Sequence, residues 1–442
     1  MSMTLPNVLF YDEPIFSLPD ATKKTNIVLN PSNSQGSYTA GNMIIFDFPQ
    51  AGYLDPQSLH IRYKMTINST CNANGSAYHL CGTPVYTPFL REEIIINSNV
   101  VENINNYNQV HNMMTNLKYS VAQKYGVAPS FGYSIGETVG VAPSLEALDG
   151  RYQIGTVSTA ITDNFYMSAP LPCLFSYSKK MIPLQFMGSV RIQLILDSIS
   201  NMFSSASDLQ QTPASIPLPS SYSISNIELV YDMLEFNTDV DQIVRKNEKI
   251  YIKSQSFSNT QQTLSATQGN ISMVFNTRLA SIKSAFLNLS STDSAKCTNK
   301  LYDSVDISKN NGDFTLNIGG NNYPQRALST LNNKGGIFQA LRDAIDPIFD
   351  NHNSLSISRN EWNFTDSQTT TILVPGKFYV GFNLEKLHSN SLLTGISSTQ
   401  TAINVLLNLG TVMTAAANIN LILNYDVLLE IDLVNRQCAI KQ

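Results

Sequence analysis

Charged side chains are scarce in this sequence: Asp, Glu, Lys and Arg make up 14% of its 442 residues, against roughly 25% in an ordinary soluble protein. Helices with solvated charged faces therefore describe the chain poorly, and long strands joined by polar loops rich in Ser, Asn, Thr and Gln fit it better. Basic clusters are missing too. Lys+Arg 28 against Asp+Glu 33 gives a formal net charge of −5. Such a chain has no general attraction to a phosphate backbone, so no direct, sequence-specific binding of nucleic acid is expected. The most apolar stretch, AINVLLNLGTVMTAAA, is interrupted by Asn404 and Asn408, and falls short of the about 18 clean residues that a spanning helix needs. The opening MSMTLPNVLFYDEPIF has neither a basic n-region nor a continuous apolar h-region. No secretory signal is expected, and the chain should be soluble and made inside a cell. Its five cysteines, Cys71, Cys81, Cys173, Cys297 and Cys438, are odd in number and scattered, which favours reduced thiols over a disulfide framework.

Catalytic signatures are equally thin. GYSIG, Gly132 to Gly136, fits the spacing of a nucleophile elbow, but that motif needs a strand before the serine and a helix after it. Here Pro129 precedes it and a Gly/Pro-containing stretch follows, so Ser134 reads as a loop residue and no enzyme is expected. Cys71, His79 and Cys81 lie close together, yet a structural zinc needs four ligands and no second ligand pair is in view. Gly376-Lys377 lacks the upstream glycine of a phosphate-binding loop. No metal and no cofactor are expected. Trp362 and the many tyrosines could line a carbohydrate groove, although aromatic residues more often fill cores and interfaces. His60 alternates with apolar strand residues and reads as outward-facing.

What the sequence does hold is a repeat. NIELVYDML, Asn226 to Leu234, returns as NLILNYDVL, Asn420 to Leu428. Both alternate as a half-buried strand must, with Ile227, Leu229 and Tyr231 on one face and Leu421, Leu423 and Tyr425 on the corresponding one. These six residues are the candidate core of a duplicated unit. RIQLIL, Arg191 to Leu196, precedes the first copy and AINVLL, Ala402 to Leu407, precedes the second. Their different spacing is absorbed by a Ser/Pro-rich loop in the first half, where added length costs little. Further upstream, a strand, a turn and a helical pattern occur in that order in both halves. In the first, the Asn97-Ser98-Asn99 turn leads to Ile104, Tyr107, Val110, Met114, Leu117 and Val121, with Gly126 as the stop. In the second, Gly319 to Asn322 leads to Ile337, Leu341, Ala344 and Ile345, with Pro347 as the end.

A single core rarely exceeds about 250–300 residues, which also favours two units. The expected division is an N-terminal arm at 1–40, a first unit at 41–236, a linker at 237–249 and a second unit at 250–442. Each unit is β-rich and carries one helix on a connection.

NPSNSQGSYTAGNMIIFDFP followed by YLD, then VENINNYN, LNIGGNNYPQRAL, FYVGFNLEKL and SLLTGISSTQTAINVLL run along the chain in that order. In these segments the sequence resembles the double jelly-roll major capsid proteins of icosahedral double-stranded DNA viruses, most nearly the virophage and polinton-like branch. The resemblance covers nearly the whole chain. It implies an all-β fold of two tandem jelly-roll sandwiches, each with a short helix in a loop. It also implies a homotrimer of six-fold-like outline that tiles a virion shell, with penton and other minor capsid proteins as further partners. An inner membrane stays open. The other function classes are a minor vertex or spike protein and a β-sandwich carbohydrate-binding or adhesion module.

Overall fold

The computed structural model describes residues 23–70, 78–80, 82–132, 152–154, 160–205, 220–236, 238–265, 269–291, 312–330, 333–349, 355–357, 362, 378–387, 393–409 and 416–441. Alternation of apolar and polar residues sets most of its strands. In MIIFDF, for example, Ile44, Phe46 and Phe48 turn inward while their neighbours face out, as the period of two requires.

The first half contains β1 (Lys23–Leu29), β2 (Met43–Phe48), β3 (Tyr53–Leu54), β4 (His60–Thr70), β5 (Tyr78–Leu80), β6 (Phe89–Ile96) and β7 (Asn99–Asn105). Helices α1 (Tyr107–Lys118) and α2 (Val121–Phe131) follow, then β8 (Tyr152–Ile154), β9 (Ala160–Pro170), β10 (Val190–Leu196), β11 (Phe203–Ser205) and β12 (Ser221–Glu235). Helix α3 (Thr238–Arg245) leads to the second half. There β13 (Lys249–Leu264), β14 (Asn270–Phe275), β15 (Ile282–Ser291), β16 (Gly312–Ile318) and β17 (Asn321–Ser329) precede α4 (Lys334–Phe349). The chain ends through β18 (Tyr379–Asn383), β19 (Ile403–Leu409), β20 (Ala417–Asp432) and β21 (Gln437–Lys441).

The sheets are antiparallel and repeat. In the first half they run β1-β12-β4-β9 and β2-β10-β6-β7; in the second they run β13-β20-β15-β18 and β14-β19-β16-β17. Setting aside the short β3, β5, β8 and β11 and the C-terminal β21, which pairs with β20 off the main path, each half has eight strands with sheet orders 1-8-3-6 and 2-7-4-5. That is the double-sheet jelly roll. Corresponding details repeat as well. The fourth and fifth strands of each unit are joined by a two-residue turn with both residues at positive φ, Asn97 and Ser98 in one, Gly319 and Gly320 in the other. Such turns match the twist of a hairpin.

Each sandwich buries aromatic residues between its sheets. Phe48 meets Tyr231 at 5.3 Å between ring centroids, and Tyr63 meets Phe89 at 5.6 Å. Burying one such side chain contributes about 1.5–3 kcal/mol. In the second unit α4 turns Ile337, Leu341, Ala344 and Ile345 inward. It approaches β18 so closely that a Cβ on Gly381 would come within 2.8 Å of Leu341 Cα.

Three expectations are corrected. Residues 23–29, assigned to an N-terminal arm, form β1 and pair with β12 from Lys23↔Glu235 to Leu29↔Leu229. As an edge strand with its lysines exposed, it lacks the apolar density of the central strands. Gly126 does not stop the first helix. That helix ends at Lys118, and Ser120 opens α2 through a capping box, its Oγ accepting from the Gln123 amide while Gln123 Oε1 accepts from the Ser120 amide. Pro347 lies inside the last turn of α4 rather than after it, where its missing N–H removes a single helical bond.

Candidate functional site

The two jelly rolls meet along one seam, and its residues come from both. β7 is the edge of one sheet of the first unit and β13 the edge of one sheet of the second. Helix α1, the segment 171–178 and the C-terminal turn of α4 close around them. Ser254 Oγ donates to the Leu174 carbonyl at 2.5 Å, and Ser256 Oγ donates to Glu102 Oε1. Ser356 Oγ donates to the Lys118 carbonyl at 2.7 Å. Farther along, Asn97 Nδ2 donates to the Arg436 carbonyl at 3.2 Å. Phe257 of β13 inserts between His111 and Tyr177, with ring centroids 6.0 and 5.7 Å away. Lys118 Nζ sits 4.9 Å from the centre of the Phe349 ring, a cation–π contact across the same boundary. A cavity of about 340 Å³ borders these groups, lined by His111, Lys118, Tyr119, Tyr177, Gln255 and Phe349 among others.

Two carboxyls stand out here. Glu92 on β6 and Glu102 on β7 share the inner face of their sheet, because Glu92 pairs with Ile104 and Glu102 with Ile94. They are 0% and 1% exposed. Glu102 accepts from Ser256 Oγ and, at 2.7 Å, from the Leu174 amide. Among the described residues, neither oxygen of Glu92 has a hydrogen-bond partner. Burial, the adjacent Glu102 and then Glu93 push the Glu92 pKa well above the usual carboxylate range. Burial pushes Glu102 up to about 7, against the two hydrogen bonds that favour its charged form. Around them burial raises the Cys173 thiol and the Tyr107 phenol well above their ordinary values and holds His111 neutral, its pKa lowered to about 3. The arrangement can hold protons in a buried junction.

The six repeat residues lie elsewhere. Ile227, Leu229 and Tyr231 are on β12 and Leu421, Leu423 and Tyr425 on β20, the eighth strand of each unit, and all six are buried. Tyr425 also reaches the seam side, since it stands opposite Ser256 of β13 in the strand register. Ser134, Cys71, Cys81 and Gly376-Lys377 fall outside the described residues, as does the side chain of His79. Among the described residues there is no group of three His, Cys, Asp or Glu that could hold a metal ion. Trp362 is buried and donates to the Tyr379 carbonyl at 3.2 Å. His60 is partly buried, with Nδ1 2.7 Å from the Ser58 carbonyl. Sequence reasoning missed Glu92 and Glu102. The signal was present in REEIII, where Glu92 is in register with Ile94 and Ile96.

This is a double jelly roll, with both units complete and joined by a buried seam. No family model matches the chain, and no curated protein matches it. Solved structures do. The chain superposes on the Faustovirus major capsid protein with a TM-score of 0.60 and 11% identity, covering 96% of this chain and 92% of that one. It superposes on a chain of the Sputnik virophage cryo-electron-microscopy structure at 0.59 and 15% identity, over 100% and 92%. The mavirus major capsid protein follows at 0.57 and 11%, over 100% and 95%. The likeness is one of fold, end to end.

Proposed function

We propose that this chain is a structural major capsid protein of the virophage and polinton-like branch, assembling as trimers of six-fold-like outline into an icosahedral shell. The observation that carries the reading is the pair of complete jelly rolls in one chain, matched over nearly the full length of capsid proteins from Faustovirus, Sputnik and mavirus. Two similar units fixed side by side give one third of a pseudo-hexagon, and three copies close it. Exposed apolar side chains on both units, among them Tyr166 at 71% and Leu387 at 63%, supply area for contacts between copies. The chain acts in this reading as a building block of the virion and not as an enzyme; its partners are itself, then penton and other minor capsid proteins. We take 23–236 and 249–442 as the two units, with α3 in the linker, and the six repeat residues as equivalent core positions.

Light scattering on the purified chain tests the assembly step. A mass of three chains is expected, and a monomer at every concentration would contradict it.

A further inference from the structure

Burying a carboxyl without a partner is costly, and burying two side by side is more so, because their charges repel in a medium of low dielectric. Glu92 and Glu102 are diagonal neighbours on adjacent strands, a geometry that sets Cβ atoms about 7–8 Å apart or slightly less. The groups that face them come from every element of the junction: Glu93 beside Glu92 on β6, Tyr107 on α1, Cys173 and Tyr177 on the 171–178 segment, Ser256 on β13 and Tyr425 on β20. His111, one turn along α1 from Tyr107, has its ring 4.2 Å from that phenol. None of these is a cation, and Lys118 of α1, a cation at the same seam, stands over the Phe349 ring. Arg91 is paired with Glu93, and among the described residues neither Glu92 nor Glu102 has an ion pair.

The two acids are not equivalent. Glu102 has two donors for its charged form, one from each side of the seam, whereas Glu92 has none. Glu102 therefore ionises first and Glu92 keeps its proton longest. While one proton remains, a single charge sits among its donors and the seam stays closed. Loss of the second leaves two adjacent anions with no ion-pair partner among the described residues, and water entering the seam relieves them.

We propose that Glu92 and Glu102 act as a proton-holding pair that makes the junction between the two jelly rolls alkaline-labile, closed while the pair retains a proton and loosened when both ionise. The direction follows from proton linkage. Both folded-state pKa values lie above the ordinary carboxylate value, so the folded chain binds more protons than the unfolded one. The stability that this provides is complete in acid. It falls from the ordinary carboxylate range up to about 7, where Glu102 ionises, and goes on falling at a shallower slope until Glu92 ionises above that. This behaviour belongs to the single chain and does not depend on the capsid reading.

Hydrogen exchange of the β13 amides in the purified full chain, corrected for intrinsic exchange, tests it between pH 6 and 10. The opening constant should rise with pH by up to about tenfold per pH unit for each proton released. Glu92→Gln should flatten the rise above neutrality, and Glu92→Met, which removes the polar atoms altogether, should flatten it further while melting higher at pH 8 than the parent. An unchanged profile in both variants would overturn the proposal. So would unfolding of both at every pH, because the carboxyl would then be needed for structure rather than for its proton.

Discussion

On β12, Asp232 faces outward and takes a hydrogen bond from Asn26 Nδ2 at 2.9 Å and an ion pair from Lys24 Nζ at 2.8 Å, both on the exposed edge strand β1. On β20, at the same step of the other eighth strand, Asp426 is buried and accepts from Ser281 Oγ at 2.8 Å and from the Thr394 amide at 3.1 Å. Lys253 Nζ lies 3.3 Å from its other oxygen, an ion contact without hydrogen-bond alignment. The tyrosines just before them, Tyr231 and Tyr425, are both buried. The pleat puts each aspartate on the face opposite its tyrosine in either copy. What lies over that face is a separate matter. In the first unit it is solvent and an edge strand. In the second, α4 and the segment 393–398 cover it, and Ser284 Oγ donates to the Ala344 carbonyl at 2.6 Å. The repeat thus preserves the inner faces and leaves the outer ones free to diverge.

The most damaging way to test the shared inner faces is truncation. Tyr231→Ala and Tyr425→Ala should each remove about 3–5 kcal/mol, measured by chemical denaturation. A loss at one position alone would break the equivalence. The outer faces should separate more gently. Asp426→Ala leaves the buried donors Ser281 Oγ and Thr394 N–H without their acceptor and should cost about 2–4 kcal/mol. Asp232→Ala should leave the melting temperature nearly unchanged, and whatever it costs should fade with added salt.

A finer difference lies in the two phenol groups. The Tyr231 hydroxyl is buried with no hydrogen-bond partner among the described residues, whereas Tyr425 stands opposite Ser256 in the strand register. Tyr425→Phe should cost about 1 kcal/mol and Tyr231→Phe essentially nothing. The smallest effect concerns the repeated hairpin, where Ser98 holds φ 68 and its counterpart position is glycine. Ser98→Gly should stabilise the first unit by about 0.5–1 kcal/mol in thermal melts, and a loss there would mean that the serine side chain matters more than its backbone strain.

The repeated strands were legible because alternation, a shared Tyr-Asp and a constant order survive in the sequence. RIQLIL and AINVLL lie on the seventh strands, β10 and β19, and the two following motifs lie on the eighth. β1 was not legible, since KKTNIVL is short, half-exposed and charged at its start. Helix α2 hides behind Gly126 and Pro129, which read as loop residues, although Ser120 and Gln123 spell its capping box. The seam was the hardest to see. The phase of Glu92 with Ile94 and Ile96 marks its inward face, but no local pattern in the sequence states the long-range approach of β13 to β7 that buries Glu102.

In the proposed capsomer the two units of each chain form one third of a ring. Electron microscopy of the purified chain measures that arrangement directly. Class averages should show a particle of three chains with six lobes, two from each chain. Single two-lobed particles at all concentrations, or rings built from any other number of chains, would contradict it.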